Sequence, residues 1–142
     1  MKLSQNSKII DIGCGRGKIL GNLASKLKLK TKPLGIDLEN HKDRDKRINF
    51  QKIDAMTFFK KNINSFDLIL IKQTIHFLSM TEIKELLNLC RNKLNRNGKI
   101  VILTLDPHRN QIPSFSLMSK KLKISLKKEE KIIKLISNLY PK

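Results

Sequence analysis

Apolar residues in this chain fall into five short runs separated by polar or helical segments. Runs of this length, bounded by turn residues, predict β-strands. The predicted strands cover residues 8–12, 33–38, 48–54, 66–71 and 99–105. The run at 66–71 is almost wholly apolar, as in a central strand covered on both faces. The run at 48–54 alternates apolar and polar residues, which is typical of a strand nearer a sheet edge.

Helical spacing of apolar residues follows the first and fourth strands. After the first strand, apolar residues recur at helical spacing from Ile19 to Leu27. The second helix is predicted to begin at the capping box formed by Ser79 and Glu82 and to end at Asn97-Gly98. The pattern turns helical again beyond residue 107. Strands alternating with helices predict a parallel sheet with right-handed crossovers, whose ligands bind at the carboxyl ends of the strands.

Composition narrows the class of protein. The 142 residues carry a net charge of +18, which can indicate binding to RNA or to anionic lipid, but the lysines are scattered and only 5% of residues are aromatic. We therefore favour a general lysine coating, of the kind that an AT-rich genome supplies through its codon usage, and keep RNA as an alternative partner.

No apolar run is long enough for a membrane span, and the first residues contain no export signal. Cys14 and Cys90 have no C-x-x-C partner, so we expect no metal, no disulfide and a cytoplasmic location.

A glycine-rich loop joins the first strand to the first helix. Residues 11–17 read D-I-G-C-G-R-G, and alternating glycines let the backbone turn tightly and approach a ligand. The dinucleotide fingerprint needs a third glycine where Lys18 stands, and the phosphate-binding loop needs a glycine and a hydroxyl where Ile12 and Ile19 stand. Neither of these two loop families fits the spacing, so the sequence predicts no NAD binding.

Residues 10–20, I-D-I-G-C-G-R-G-K-I-L, resemble motif I of class I, Rossmann-like S-adenosylmethionine-dependent methyltransferases. The resemblance extends over residues 8–105 and implies an α/β fold with a five-stranded parallel sheet of order 3-2-1-4-5 and flanking helices. It implies S-adenosyl-L-methionine as the cofactor. The cofactor-binding residues it implies are Asp11, Gly13, Cys14, Gly15, Gly17, Asp37, Leu38, Asp54, Ala55 and Lys72.

The resemblance also assigns roles within that set. It implies that Asp11 faces the methionine end of the cofactor, often through water. It places Asp37, at the end of the second strand, on the ribose hydroxyls and Leu38 on the adenine. Asp54 and Ala55 are implied to bind the adenine amino group, although an aspartate after a strand can equally be a helix N-cap.

The segment after the fourth strand looks like that of small-molecule methyltransferases, with His76 in the usual register. Methyl transfer mainly requires positioning of the reactants, and His76 is our candidate for the base that deprotonates the acceptor; a surface or capping histidine is the alternative. The motif [DN]-P-P-[FY], carried here by enzymes that methylate exocyclic amines, is absent. His41 and His108 lie in polar loops and are expected to be exposed to solvent.

Two departures from the family pattern stand out. Residues 40–47 form a polar loop where the family usually has a helix, so we expect one face of the sheet to be thinly covered. A similarly short connection occurs in RNA ribose methyltransferases of the heat-shock type, although motif I differs. The family also continues with two antiparallel strands, whereas no strand-like pattern follows residues 99–105.

The expected domain therefore spans residues 1–142 and lacks the terminal antiparallel strands, as a fragment or as a minimal variant. We expect the fifth strand to lie at the sheet edge, where it favours poor solubility or dimerisation of the isolated chain. The expected function is methyl transfer to a small-molecule acceptor. The alternatives are RNA methylation and a non-catalytic or truncated module that binds S-adenosylmethionine.

Overall fold

The computed structural model of the chain describes residues 3–61, 64–72 and 78–103. Five strands and three helices lie within these residues: β1 (Ile9–Ile12), α1 (Lys18–Leu27), β2 (Leu34–Asp37), β3 (Asn49–Lys52), α2 (Ala55–Lys61), β4 (Phe66–Lys72), α3 (Met80–Asn92) and β5 (Leu94–Leu103). The strands form one parallel sheet in the order β3-β2-β1-β4-β5. The order predicted for a Rossmann-like fold is confirmed.

Successive side chains of the two central strands pack on opposite faces of the sheet, as the strand geometry requires. On one face, Ile10 and Ile69 belong to a buried layer that includes residues of α2 and α3. On the other, Ile9 and Leu68 belong to a layer that includes α1. Burial on both faces explains the nearly continuous apolar sequence of β4.

Helix α2 (Ala55–Lys61) was not predicted from the apolar spacing. Asp54 precedes it, and its Oδ1 accepts the Thr57 N–H at 2.9 Å, so Asp54 is the N-cap of this helix. The N-cap interpretation of Asp54, which the sequence left open, is confirmed. The helix buries Phe58 and Phe59, whose ring centroids lie 5.2 Å apart in an edge-to-face arrangement. It is only seven residues long and rich in strand-favouring phenylalanine, so no helical period is visible in the sequence.

The predicted capping box of α3 is confirmed. The Ser79 hydroxyl accepts the Glu82 N–H at 3.2 Å, and Glu82 Oε1 accepts the Ser79 N–H at 3.1 Å. These reciprocal hydrogen bonds satisfy two of the backbone donors that the first turn of a helix leaves unpaired. The start of α3 is therefore encoded locally.

The predicted end of α3 at Asn97-Gly98 is wrong, because the helix ends at Asn92 and both residues lie inside β5. Asn97 adopts a left-handed backbone conformation (φ 66°). A Cβ atom at Gly98 would lie only 3.0 Å from the Phe66 carbonyl oxygen of β4. The pairing of β4 with β5 shifts register between Phe66 and Leu68, opposite this pair. Asn97-Gly98 therefore forms part of a β-bulge within β5 and does not end a helix.

The outer strands of the described sheet are β3 and β5. Three of the four residues of β3 are exposed, in agreement with its predicted place near an edge. The predicted edge position of β5 is confirmed within the described residues. Its expected last residues 104 and 105, the helix beyond residue 107 and any sixth strand lie outside them. In the described ranges, no helix has the length and apolar character needed to cross a membrane.

Candidate functional site

A cavity of about 600 Å³ lies at the carboxyl ends of β1, β2 and β3. Strand ends of this kind are where open α/β sheets bind their ligands, and the volume is that of a typical cofactor site. Its wall combines the strand ends with the first turn of α2 and one side of α3. The lining residues are Ile12, Gly13, Gly15, Ile36, Asp37, Leu38, Glu39, His41, Ile53, Asp54, Ala55, Met56, Leu78, Glu82 and Leu86.

The glycines of the 11–17 loop have different surroundings. Gly13, Gly15 and Gly17 all adopt positive φ angles, of 73°, 55° and 77°. Gly15 lines the cavity, and a Cβ atom placed on it would meet no heavy atom within 4 Å. Gly17 is buried, and a Cβ atom there would overlap the Ile48 side chain. The loop therefore exposes Gly15 to a ligand, whereas Gly17 allows Ile48, the residue before β3, to pack closely against the start of α1.

Three residues of the 11–17 segment that were predicted to bind the cofactor are buried and do not line the cavity that the described residues form: Asp11, Cys14 and Gly17. A Cβ atom on Gly35 would lie 2.6 Å from the Cys14 sulfur, so the glycine of β2 provides the room that Cys14 occupies. Asp11 is 1% exposed in the central strand β1. These three residues pack beneath the cavity lining, and their part in cofactor binding stays a prediction.

Asp37 lies at the end of β2, directly across the cavity rim from the glycine loop. Its Oδ2 accepts the Gly15 N–H at 2.8 Å, and its Oδ1 accepts the Glu39 N–H at 3.1 Å. A carboxylate offers about four acceptor positions, so further donors can still bind to Asp37. The adjacent Leu38 is 64% exposed and lines the same cavity. The predicted ribose and adenine residues are therefore brought together beside Gly15.

The cavity is acidic although the chain is strongly basic. Four of the twelve acidic residues line it: Asp37, Glu39, Asp54 and Glu82. Among the described lining residues there is no lysine or arginine. Hydrogen bonds from the side chain and backbone of Thr57 lower the pKa of Asp54, and those from Ser79 lower the pKa of Glu82. Such a cavity favours cationic or neutral ligands over polyanions.

The prediction that His41 is exposed to solvent is wrong. Its side chain is 24% exposed, lines the cavity and places Nε2 3.4 Å from Glu39 Oε2. Sequence reasoning missed it because a histidine in a polar loop gives no periodic signal. Lys72 is the last residue of β4, at the carboxyl end of that strand. The candidate base His76 and the loop residue His108 lie outside the described residues.

The 40–47 loop contains no helix, as predicted, and one of its arginines lies over the sheet face expected to be thinly covered. The guanidinium carbon of Arg44 lies 3.1 Å from the centroid of the half-buried Phe50 ring of β3. Its Nε donates to the Gly15 carbonyl at 3.1 Å, and its Nη2 donates to the Glu39 carbonyl at 2.9 Å. Sequence reasoning missed Arg44 because arginine is common in solvated loops.

A second arginine of the loop connects it to α1. Arg47 forms a bidentate ion pair with Asp45 and also donates to Asn22 and Ser25 of the helix. Gly21 lets the pair approach, because a Cβ atom there would lie 2.5 Å from the Asp45 carboxylate. Hydrogen bonds from Arg47 lower the pKa of Asp45 to about 2. The loop is therefore attached to the helix by a charged pair that persists to low pH.

We expect the Asp45→Asn variant to show how much the Asp45–Arg47 pair contributes to the free energy of unfolding at each pH. The folded-state pKa lies below the ordinary value, so the stabilisation is present above about pH 4 and disappears as the pH falls towards 2. The variant should lose about 1 kcal/mol at pH 7 and much less at pH 2, where about half of the Asp45 carboxyl groups are protonated; the 41% exposure of the Arg47 side chain limits the effect. Urea denaturation from pH 7 to pH 2 measures the difference.

The matched control is Asp43→Asn, since Asp43 pairs with Arg16 in an ion pair whose side chains are 69% and 66% exposed. Its stability should follow that of the wild type across the same range. A constant difference between Asp45→Asn and the wild type at every pH would contradict the assigned pair.

Comparison with known proteins agrees with this architecture. A profile of the family described as "Methyltransferase domain" matches residues 3–138. An S-adenosylmethionine-dependent methyltransferase from Archaeoglobus fulgidus is 29% identical with a TM-score of 0.59, over 68% of this chain and 44% of that protein. The plantazolicin methyltransferase BpumL, solved with S-adenosylhomocysteine, is 28% identical with a TM-score of 0.61, over 72% and 40%. A TehB-like S-adenosylmethionine-dependent methyltransferase from Corynebacterium glutamicum is 28% identical with a TM-score of 0.57, over 70% and 55%.

The chain thus spans about half or less of the length of these three enzymes. A comparison with curated proteins gives no match. The family profile covers nearly the whole chain, and the strand order and the glycine loop agree with it. The chain therefore belongs to the methyltransferase domain family and has the Rossmann-like fold of its class I members.

Proposed function

We propose that this chain binds S-adenosylmethionine and serves as the cofactor domain of a methyltransferase with a small-molecule acceptor. The observation that carries the proposal is the pairing of Gly15 with Asp37 across the cavity rim. Gly15 leaves open space where a side chain would stand, and Asp37 keeps acceptor positions for hydroxyl groups. An adenosyl ribose supplies such hydroxyls, so the residues present fit the group.

The charge of the cavity favours this cofactor over a dinucleotide. S-adenosylmethionine carries a sulfonium, an ammonium and a carboxylate group and is cationic overall, whereas NAD carries two phosphates and is anionic overall. Four acidic residues line the cavity, and its described lining offers no lysine or arginine to a diphosphate. Lys18, in place of the third glycine of the dinucleotide fingerprint, points the same way.

When bound, the cofactor supplies an electrophilic methyl group, and this chain is proposed to bind and orient it. Asp37 accepts the ribose hydroxyls, Leu38 packs on the adenine, and Asp54 and Ala55 lie on the cavity wall beyond them. Orientation of this kind accounts for much of the rate of an in-line transfer. His76, at the start of the segment after β4, is proposed as the base, by its place in the sequence.

The proposal also specifies the class of methyl acceptor, a small molecule. It is supported by the sequence after β4, which lacks the [DN]-P-P-[FY] motif, and by the likeness to a plantazolicin methyltransferase. None of the three enzymes described above is named for an RNA substrate. The RNA alternative rests on the net charge of the chain and on the short 40–47 connection, which resembles that of RNA ribose methyltransferases of the heat-shock type. The cytoplasmic location expected from the cysteines stays a prediction.

Titration calorimetry on the 142-residue chain tests the cofactor. We expect S-adenosylhomocysteine to bind in the micromolar range, about −8 kcal/mol, and NAD to give no measurable heat. With isotope-labelled S-adenosylmethionine, the methyl label should then enter a small-molecule pool and not total RNA, and His76→Ala should lose the transfer while retaining the binding. Tighter binding of NAD would refute the cofactor assignment, and labelled RNA would refute the acceptor class.

A further inference from the structure

Four hydrogen bonds form a closed ring at the rim of the cavity. Asp37 accepts the N–H groups of Gly15 and Glu39, at 2.8 and 3.1 Å. Arg44 donates to the carbonyl oxygens of the same two residues, at 3.1 and 2.9 Å. Gly15 and Glu39 therefore each contact the carboxylate through one backbone group and the guanidinium through another. The ring joins the glycine loop to the end of β2.

The geometry of Arg44 suits it to this position. A guanidinium is a rigid planar fork that can donate in two directions at once, which a lysine ammonium on its flexible stem cannot reproduce. The Phe50 ring stacks beneath it, with the guanidinium carbon 3.1 Å from the ring centroid, and fixes the plane of the fork. Arg44 itself is half-buried, so its hydrogen bonds are partly shielded from water.

The two residues that Arg44 holds need outside support. Gly15 has a positive φ of 55° and no side chain, so its two peptide groups can rotate more freely than those of other residues. Glu39 lies beyond the last residue of β2 and has no strand partner to orient it. Without Arg44, the Asp37 carboxylate would be oriented only by donors that can themselves move.

We infer that Arg44 is a positioning residue for ribose recognition: it closes the ring that fixes the Asp37 carboxylate and the Gly15 backbone in the orientation a ribose requires. This inference rests on the proposed function, because the ribose is that of the proposed cofactor. Arg44 comes from the 40–47 loop, which stands where the family usually has a helix. The loop would thus supply through one side chain an orientation that the glycine motif alone does not secure.

The test compares Arg44→Gln and Arg44→Lys with the matched control Arg47→Gln. Arg47 is an arginine of the same loop whose partners lie on α1 and on Asp45, away from the ring. The ligands are S-adenosylhomocysteine and its 2′-deoxyribose analogue. In wild-type protein the loss of one hydroxyl should weaken binding about 10-fold. Both Arg44 variants should bind S-adenosylhomocysteine about 10-fold more weakly and discriminate the analogue by less than about 3-fold.

The ratio of the two affinities, for S-adenosylhomocysteine and for its 2′-deoxyribose analogue, separates a positioning role from a general loss of structure. A partly unfolded protein loses affinity for both ligands equally. Arg47→Gln should keep the wild-type ratio. In addition, Arg44→Gln should have a much smaller effect in an Asp37→Ala background than in the wild type, because part of its effect acts through that carboxylate. An unchanged ratio in the Arg44 variants, or the same fall in Arg47→Gln, would overturn the inference.

Amide hydrogen exchange of the ligand-free protein tests the ring without the cofactor. The Gly15 amide should exchange at least about 10-fold faster in Arg44→Gln than in the wild type or Arg47→Gln, with the Leu70 amide of β4 unchanged as the reference for folding. A wild-type chain that binds no S-adenosylhomocysteine would refute the proposed function, and the Gly15 rate would still report on the ring. An unchanged Gly15 rate contradicts the inference in either case.

Discussion

Replacing Gly15 with alanine is expected to lower the affinity for S-adenosylhomocysteine by about 10- to 100-fold, because the new methyl group would stand in space that the ligand needs. In the ligand-free protein that space is open, with no heavy atom within 4 Å of the added Cβ. The positive φ of 55° costs an alanine about 1 kcal/mol, so the fold should survive. Titration calorimetry measures the affinity, and thermal denaturation measures the stability.

Gly17→Ala is the matched control, with the same substitution in the same loop at a similar φ of 77°. Its Cβ would overlap the Ile48 side chain in the protein interior, so it should reduce stability by about 2–4 kcal/mol, from overpacking and backbone strain together. The two variants should therefore separate: Gly15→Ala mainly loses binding, and Gly17→Ala mainly loses stability. If Gly15→Ala lost as much stability as Gly17→Ala and still bound S-adenosylhomocysteine as the wild type does, no ligand would approach Gly15.

The sheet could be predicted from sequence because its strongest signals are local. The apolar run of β4 has no polar face, and only a strand covered on both sides needs such a sequence. The alternation in β3 marks an edge strand, and three of its residues are indeed exposed. The capping box at Ser79 fixes the start of α3 through two hydrogen bonds between residues three apart. None of these inferences depends on contacts between distant parts of the chain.

The elements that sequence reasoning missed depend on tertiary contacts. Asn97-Gly98 is a turn signal in isolation, but the close approach of the Phe66 carbonyl makes it a bulge in β5. In α2 the visible pattern is a pair of adjacent phenylalanines, which has no helical period. Their burial against the sheet, and not their intrinsic preference, supports a helix there.

The site was predicted unevenly for a similar reason. The spacing of the glycine loop identifies the motif, but its three glycines look alike in the sequence. The sequence does not show that Gly15 faces the cavity while Gly17 faces Ile48. His41 lines the cavity and Arg44 contacts Gly15 at its rim, and both come from a loop whose path has no periodic signal. Their positions follow from packing on Phe50 and from pairing with Glu39, which only the folded chain brings about.

Replacing Asp37 with alanine should have the largest effect on binding, a loss of about 2–3 kcal/mol or about 30- to 150-fold in the Kd for S-adenosylhomocysteine. The substitution removes the proposed acceptor of two ribose hydroxyls and leaves them unpaired in a partly enclosed cavity. It also removes the acceptor of the Gly15 and Glu39 N–H groups, so the loop that faces the ligand loses its orientation. Titration calorimetry on the full chain measures the change.

Two further variants separate these contributions. Asp37→Asn keeps one oxygen acceptor in the same shape and should lose about 10-fold, between the wild type and the alanine variant. Asp43→Ala removes an equal charge from an exposed position outside the cavity lining and should bind as the wild type does. If Asp37→Ala bound S-adenosylhomocysteine as tightly as the wild type, the carboxylate would serve only the backbone of the loop, and the ribose assignment would fail. If Asp43→Ala lost as much as Asp37→Ala, the effect would belong to net charge and not to a bound ribose.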